Sequence, residues 1–575
     1  MGSMMTGLYV GLSGLQTSSN SLNTTANNLT NTNTAGYVRQ MVINKDFGYN
    51  DVTTTSGVNK GQSGLGVQVA TISHTRDIFL DKAYRKELGR KNFYDNIYDG
   101  IYSIETQFGN SEGIEGIGYQ SALTDLREAI NKVAEAPGEK VTRSAMVQSA
   151  VEFLDKSKLV YQGLAKYQTN VDEEVVRTVN RINEIGESIR DLNNRISRIE
   201  AGKIEGANDL RDQRDLLLDE LAGYGRIKYS EDNRGVIEVS FEGVHFADEL
   251  SVNHIGFRNI ENSNFVEPIW KEMGDQPVYN LAAGASTEES TDIGGLKGLL
   301  MTRGTITPTV ADMTAPDPDD YPAGVNDEAY IDALDRYTKY NECRNTSVIV
   351  NTLANFDKLI SSIVTGINDI LCPETTYTAA DGTTYTILDK GNAPVTEDGI
   401  YGIELFTRNY TDRYTEMTID GKSMLVRNDT NDFGQLSYYS VNNVEVNNEI
   451  QKDYSKMPLS TLNGADDYPG AQELLKLFDA ETLRYNDGID DLNYEEFLEA
   501  MINYNANIGK IYYSMAEGES NLASALDSRR QEIMGVSSDE ELGNMIKYQQ
   551  AYNAASRYIN VVSDMIETLI NRTGA

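Results

Sequence analysis

An α+β fold built mainly of long α-helices is predicted, with helices from the two chain ends pairing as a coiled coil and a β-containing insert between them. Three observations carry that prediction. Apolar residues keep heptad spacing at both ends, periods of three to four run through long interior stretches, and short alternating runs interrupt the middle. At 575 residues the chain is too long for one core, so several units are expected, each burying its own apolar surface.

The first charged residue is Arg39. Before it, Leu8, Leu15, Leu22 and Leu29 fall seven apart, with Leu12, Ser19 and Ala26 in the alternate slots, the 4-3 spacing of a helix seam. Between Thr17 and Thr34 fifteen of eighteen residues are Ser, Thr or Asn. Their helix propensities summed cost about 8–10 kcal/mol relative to Ala. Burying the five leucines returns roughly 1.5–3 kcal/mol each, so this helix is expected to form only against a partner. The C-terminus supplies one. Met545/Tyr548, Tyr552/Ala555, Ile559/Val562 and Ile566/Leu569 are four successive heptad pairs. Leu8, Leu12, Leu15, Leu22 and Leu29 are expected to face Tyr552, Ile559, Val562, Ile566 and Leu569, and Gly36 to close the helix through a positive φ.

Residues 80–221 read as long amphipathic helices, with Pro137 marking a turn and Val176 to Ile199 lying in one long helix. "GVIEVSFEGVHF", from Gly235, alternates as a half-buried strand. Four of the eleven prolines fall between residues 303 and 330, an expected exposed loop. Asp381-Gly382, between arms rich in Thr and Tyr, predicts a β-hairpin over 375–387. The expected units are an inner terminal coiled coil (4–40 and 535–572), a helical middle unit (41–300, 340–372 and 470–534) with a small β part near 225–300, and an outer β-rich insert (373–470).

The formal charge is -37. Residues 1–38 contribute none of it and residues 539–575 only -2, leaving -35 in the middle, as suits a solvent-facing surface. Such a balance excludes nucleic-acid wrapping and anionic membranes, which reward clustered Lys and Arg. No apolar run approaches a membrane span, and the N-terminus lacks the pattern of a cleaved secretory signal. Cys343 and Cys372 are expected as free thiols rather than a disulfide framework.

Enzyme templates fit poorly. His74, His245 and His254 lie outside any H-E-x-x-H, so a zinc peptidase has no ligand set. Gly421-Lys422-Ser423 has the ending of a P-loop, but Glu416 stands where the first glycine is needed. Gly64-Leu65-Gly66 lacks the third glycine of a dinucleotide fingerprint, "DPDDYPAGVNDE" misplaces an oxygen ligand and the glycine of an EF-hand, and no G-x-S-x-G occurs. No catalytic residue, metal or cofactor is expected.

"ANNLTNTNTAGYVRQ", through Asn27, Asn28, Leu29, Asn33, Gly36 and Tyr37, resembles the signature of the bacterial flagellar rod, hook and hook-associated proteins. "GANDLRDQRDLLLDEL", through Asp209, Leu210, Asp212, Gln213, Arg214 and Asp215, is similar to a motif of the hook-associated subunits that rod and hook proteins lack. Residues 64–87 and 535–572 also look like family segments. The resemblance puts an Arg at position 143, where the residues alone are equally consistent with a solvated helix charge.

The resemblance implies a structural subunit joining hook to filament, extracellular in the flagellum and exported unfolded through the flagellar export apparatus without a cleaved signal peptide. Implied partners are the flagellar hook protein, a second hook–filament junction protein, copies of itself, and an export chaperone on the C-terminal helix. A hook or distal rod protein is the alternative. A secreted enzyme or glycan-binding module within the insert is a remote one.

Overall fold

The computed structural model describes residues 2–52, 61–109, 118–202, 206–432, 435–486 and 488–573. Helix makes up 58% of the chain and strand 15%, the strands in small separate sheets, so the fold is α+β as predicted.

Helix α1 (Gly2–Thr30) forms although it is rich in Ser, Thr and Asn. Several hydroxyls bond back along it, Ser13 to the Val10 carbonyl, Ser18 to Gly14, and Thr30 to Ala26 and Asn27. It stops at Thr30 rather than at the expected Gly36. Gly36 serves a later turn, at φ 73°, where an added Cβ would lie 2.4 Å from Leu216 Cγ.

An arm follows that the sequence reading had merged into the helical middle unit. Strands β1 (Gln40–Asp46), β2 (Tyr49–Val52), β3 (Gly61–Gly64) and β4 (Val67–His74) pair antiparallel as β1–β4 and β2–β3, and the β1–β4 ladder packs on α1. The Val67 N–H donates to Ser13 Oγ, fixing the arm to the helix.

The body begins with α2 (Ile78–Gln107), N-capped by Asp77. Helices α3 (Tyr119–Glu135) and α4 (Lys140–Glu200) meet at the Pro137 turn, and the 61 residues of α4 span about 90 Å. Arg143 is buried, not solvated. Its Nε donates to the Pro137 carbonyl at 2.6 Å, and its Nη1 meets Glu397 of the insert at 3.0 Å.

Helix α5 (Asn208–Tyr224) folds back on α4 and leads into β5 (Ile227–Glu231), β6 (Ile237–Phe241) and β7 (Val244–Ala247), one antiparallel sheet. The single strand expected from Gly235 is therefore a hairpin. Glu242 (φ 50°) and Gly243 (φ 84°) make a two-residue turn with both φ positive, a signal hidden by the alternation around it. Strands β8 (Ile255–Asn259), β9 (Val266–Trp270) and β10 (Gln276–Pro277) form a second small sheet. Phe241, Phe246 and Trp270 pack from these sheets onto Val175 to Ile189 of α4.

After α6 (Gly295–Arg303), the proline-rich segment makes short 3-10 turns. It is pinned in part: Arg336 holds buried Asp312, and Asp357 accepts the Val310 N–H at 2.7 Å. Helices α7 (Glu328–Cys343) and α8 (Val348–Leu371) lead to the insert. There β11 (Glu374–Thr378) and β12 (Thr384–Leu388) form the predicted hairpin, with Gly382 at φ 90°. The insert continues with β13 (Phe406–Arg408), β14 (Tyr414–Ile419), β15 (Lys422–Arg427), β16 (Val444–Val446) and α9 (Asn448–Lys452), in a four-stranded sheet of order β11-β12-β15-β14 and a β13–β16 pair. Gly421 lies in the turn between β14 and β15. Leu388, Leu405, Phe406 and Val441 enter the largest core with residues of α3, α4 and α8, so the insert is built onto the helical body. Cys343 and Cys372 are both free and buried.

Helix α10 (Tyr468–Asp479) precedes α11 (Tyr494–Met534), which lies along α2, and α12 (Ser538–Thr573), which lies along α1. No helix among the described residues is long and apolar enough to cross a membrane.

Candidate assembly surface at the chain termini

Helices α1 and α12 run antiparallel, Gly7 beside Val562 and Asn28 beside Glu541. On α12 the inward face follows the predicted heptad. Val562 is buried, Met545, Tyr548, Ala555, Ile559, Ile566 and Leu569 are half-buried, and Tyr552 lies at 36% exposure.

On α1 the register is one residue away from the leucines. The row facing α12 is Gly7, Gly11, Gly14, Ser18, Ser21, Thr25 and Asn28, itself a 4-3 repeat. A Cβ at Gly11 would come within 2.7 Å of Ile559 Cγ1, and one at Gly7 within 3.1 Å of Tyr558 Oη. Helix axes this close exclude leucine. Leu8, Leu15, Leu22, Ala26 and Leu29 flank the contact half-buried, and Leu12 is 52% exposed. The expected leucine-to-apolar facing is thereby corrected: two 4-3 rows interleave on α1, and the smaller row allows the closer approach.

The displaced apolar side chains point outward. Met5, Tyr9 and Leu12 on α1, with Ile546, Tyr558, Val561, Met565 and Ile570 on α12, are all more than two-fifths exposed. Scattered exposed leucines are ordinary, whereas here exposed apolar side chains recur along both helices of the pair, which makes it the candidate contact surface.

At the other end of the pair, Asn28 is 1% exposed and satisfied on both sides of its amide. Its Nδ2 donates to the Gln40 carbonyl and to Glu541, and its Oδ1 accepts from the Tyr37 hydroxyl and the Gln40 N–H. Arg39 pairs with Glu540 and Glu541, and its N–H meets the Met534 carbonyl at 2.8 Å. Asn27 donates to the Tyr37 hydroxyl at 3.4 Å and accepts from Asn31 Nδ2 at 2.9 Å, and Asn33 is exposed. Burial, then Asp212 and Glu541, push the Tyr37 hydroxyl up to about 12.

The second motif lies at the joint between this pair and the body. Asp212 accepts the Val38 N–H at 3.2 Å and stands 3.6 Å from His74 Nδ1. Burial raises the Asp212 carboxyl to about 7 and lowers His74 to about 4. Leu210 packs with Leu192 and Ile196 of α4, while Arg214, 1% exposed, donates to Asn193 and the Gly235 carbonyl. Asp209 and Gln213 face solvent.

Asp215 pairs with Arg76 and Arg85, Asp219 with Arg85 and Arg530, and Asp81 with Arg76 and Arg530. This closed ring of three arginines and three aspartates ties the start of α2, the middle of α5 and the end of α11. Sequence reasoning missed Arg76, Asp81, Arg85, Asp219 and Arg530. The available signal was Asp212, Asp215 and Asp219 on one face of a helix with buried leucines, since carboxylates so placed require cations nearby.

Among the described residues no group of three or more His, Cys, Asp or Glu is placed to hold a metal ion.

A family model described as the flagellar hook-associated protein FlgK helical domain matches residues 104–315. Models for the flagella basal body rod protein and the flagellar basal body rod FlgEFG protein C-terminal match residues 8–37 and 528–572, the two helices just described. Flagellar hook-associated protein 1 of Bacillus subtilis is 24% identical over 99% of both chains, and that of Salmonella typhimurium 23% identical over 97% of this chain and 98% of its own. Over nearly its whole length the chain is similar to the flagellar hook-associated proteins. The solved flagellar hook junction protein FlgK from Burkholderia pseudomallei shares the fold, with a TM-score of 0.50 at 12% identity, covering 78% of this chain and 99% of that one. These likenesses support a flagellar structural role, and the segments that the rod-type models match include α1 and α12.

Proposed function

We propose that this hook-associated protein is the subunit that joins hook to filament in the extracellular flagellum. It leaves the cell unfolded through the flagellar export apparatus, an export chaperone having held α12 beforehand. It assembles through α1 and α12 with copies of itself, with the hook protein on one side and a second junction protein on the other, and it catalyses nothing. The observation that supports this reading is the exposed apolar row of Met5, Tyr9, Leu12, Val561 and Met565 on a helix pair whose mutual contact uses small residues of α1. A hook or distal rod protein is the weaker reading, because the rod-type models reach only the two ends while a hook-associated helical model matches residues 104–315 of the body.

Amide exchange on the purified monomer and on protein assembled onto isolated hook ends tests the proposal. Exchange in residues 5–30 and 540–572 is expected to be fast in the monomer and slow on hook ends. Equal protection in both states refutes assembly through the helix pair.

A further inference from the structure

Beside the joint, a cavity of about 580 Å³ opens between α2, the start of β5 and the segment before α6. Its lining includes five cations, Lys82, Arg85, Lys86, Arg226 and Lys228, and no acidic residue, on a chain of formal charge -37. Elsewhere Lys91, Lys156, Lys339, Lys456 and Lys476 each hold a carboxylate. Lys82, Lys86 and Lys228 are exposed and hold none among the described residues.

The floor of the cavity is unsatisfied. The Arg85 side chain, 2% exposed, spends Nε on Asp219 and Nη2 on Asp215, leaving Nη1 buried with no acceptor. The Tyr229 ring lies 4.8 Å from that guanidinium, and its hydroxyl is also buried and unbonded. Two buried donors left without acceptors are costly, and an acceptor arriving from outside removes the cost. Ser290, on the wall, holds φ 52°, a conformation that side chains other than glycine's seldom take and that clusters at binding sites. The nearby acids are engaged elsewhere: Asp81, Asp215 and Asp219 hold arginines, and Glu242 accepts the Arg226 N–H at 2.6 Å.

We propose that this cavity docks an acidic peptide segment of a partner protein. One carboxylate accepts from Arg85 Nη1 and the Tyr229 hydroxyl, further carboxylates pair with Lys82, Lys86 and Lys228 at the rim, and Ile227 and Ile293 cover the aliphatic stems. A free phosphate offers the same charge, but it is far smaller than the cavity and leaves the apolar walls uncovered. The site is separate from the terminal helices and does not depend on where in the flagellum the protein sits.

The test is fluorescence anisotropy of a labelled hexapeptide of alternating Asp and Glu with the full-length protein, against its Asn/Gln counterpart and inorganic phosphate. The acidic peptide is expected to bind and its counterpart not. Affinity should fall about tenfold in the double variant Lys82→Ala/Lys228→Ala and stay unchanged in Lys166→Ala, a distant surface control. Amide exchange should slow at 82–86 and 225–229 on binding. Phosphate binding as tightly as the peptide reassigns the cavity to a free anion and overturns the proposal. Absence of peptide binding, or binding that the double variant leaves intact, overturns it as well.

Discussion

Two long antiparallel helix pairs lie in this protein, and they are joined by opposite means. Helices α2 and α11 meet through large side chains: Tyr94 lies 6.1 Å from Tyr512 and Tyr98 5.2 Å from Tyr513, ring centre to ring centre, and Arg530 closes one end on Asp81. Phe93, Ile97 and Ile101 then continue into a core with Met301 and Ala516. Helices α1 and α12 meet through Gly, Ser and Thr of α1 set against Ile559, Val562 and their neighbours on α12, while further large side chains on both, among them Tyr9, Leu12, Val561 and Met565, are exposed. The first pair spends its apolar surface on the monomer. The second leaves much of its own exposed, so on the proposed function stability and assembly are written on different helices of one chain.

The largest effect should fall on the first pair. Arg530→Ala leaves Asp81 and Asp219 buried without one of their cations and should cost about 3–5 kcal/mol in global denaturant unfolding. A loss under 1 kcal/mol would mean that the ring of ions is not what holds α11 to the joint.

Next comes Gly11→Val, which places a branched side chain where even a Cβ comes within 2.7 Å of Ile559. About 1–3 kcal/mol of overpacking should separate α1 from α12. Amide exchange should report the loss in residues 5–30 and leave α2 and α11 protected. Loss of protection in both pairs together would erase the distinction between them.

The joint separates the pairs by pH. In His74→Gln, Asp212 acts alone: its folded pKa of about 7 exceeds its unfolded value, so the stability it lends is full below about 4 and fades as pH rises to 7. In Asp212→Asn, His74 acts alone with a folded pKa of about 4, so its contribution is full above about 6.5 and fades as pH falls to 4. Thermal midpoints of the two variants should therefore slope in opposite directions between pH 4 and 7, with the unmodified protein flatter than either. Parallel slopes would show that Asp212 and His74 do not govern the joint.

The smallest change in the monomer belongs to Leu12→Ala, at 52% exposure. Unfolding free energy should move by less than about 0.5 kcal/mol, while retention on hook ends drops. A large monomer effect would return the leucine row to the intramolecular seam.

The α+β class, the terminal pair, the Pro137 turn and the Asp381-Gly382 hairpin were legible because periodicity and turn chemistry act locally. The partner of α12 was legible, but the face of α1 that meets it was not. Apolar spacing measures hydrophobicity, whereas helix approach is limited by volume, and Gly11 and Ser18 carry no hydrophobic signal. The β1–β4 arm escaped because its strands bury little, with Met41 and Ile43 exposed. The ring of Arg76, Arg85 and Arg530 escaped because charge on an amphipathic helix reads as solvated until the fold brings three distant segments to one place.

Helix α4 threads both large cores as one continuous rod of about 90 Å. Such a rod is a lever. A tilt of one degree at its joint end moves the opposite end by roughly 1.5 Å over that length. The outer insert, clamped to its first turn through Arg143 and Glu397, is carried along by the swing. Small changes in how the terminal helices seat on the joint are therefore enlarged at the far end of the rod by simple leverage, without any element of the body having to unfold or repack.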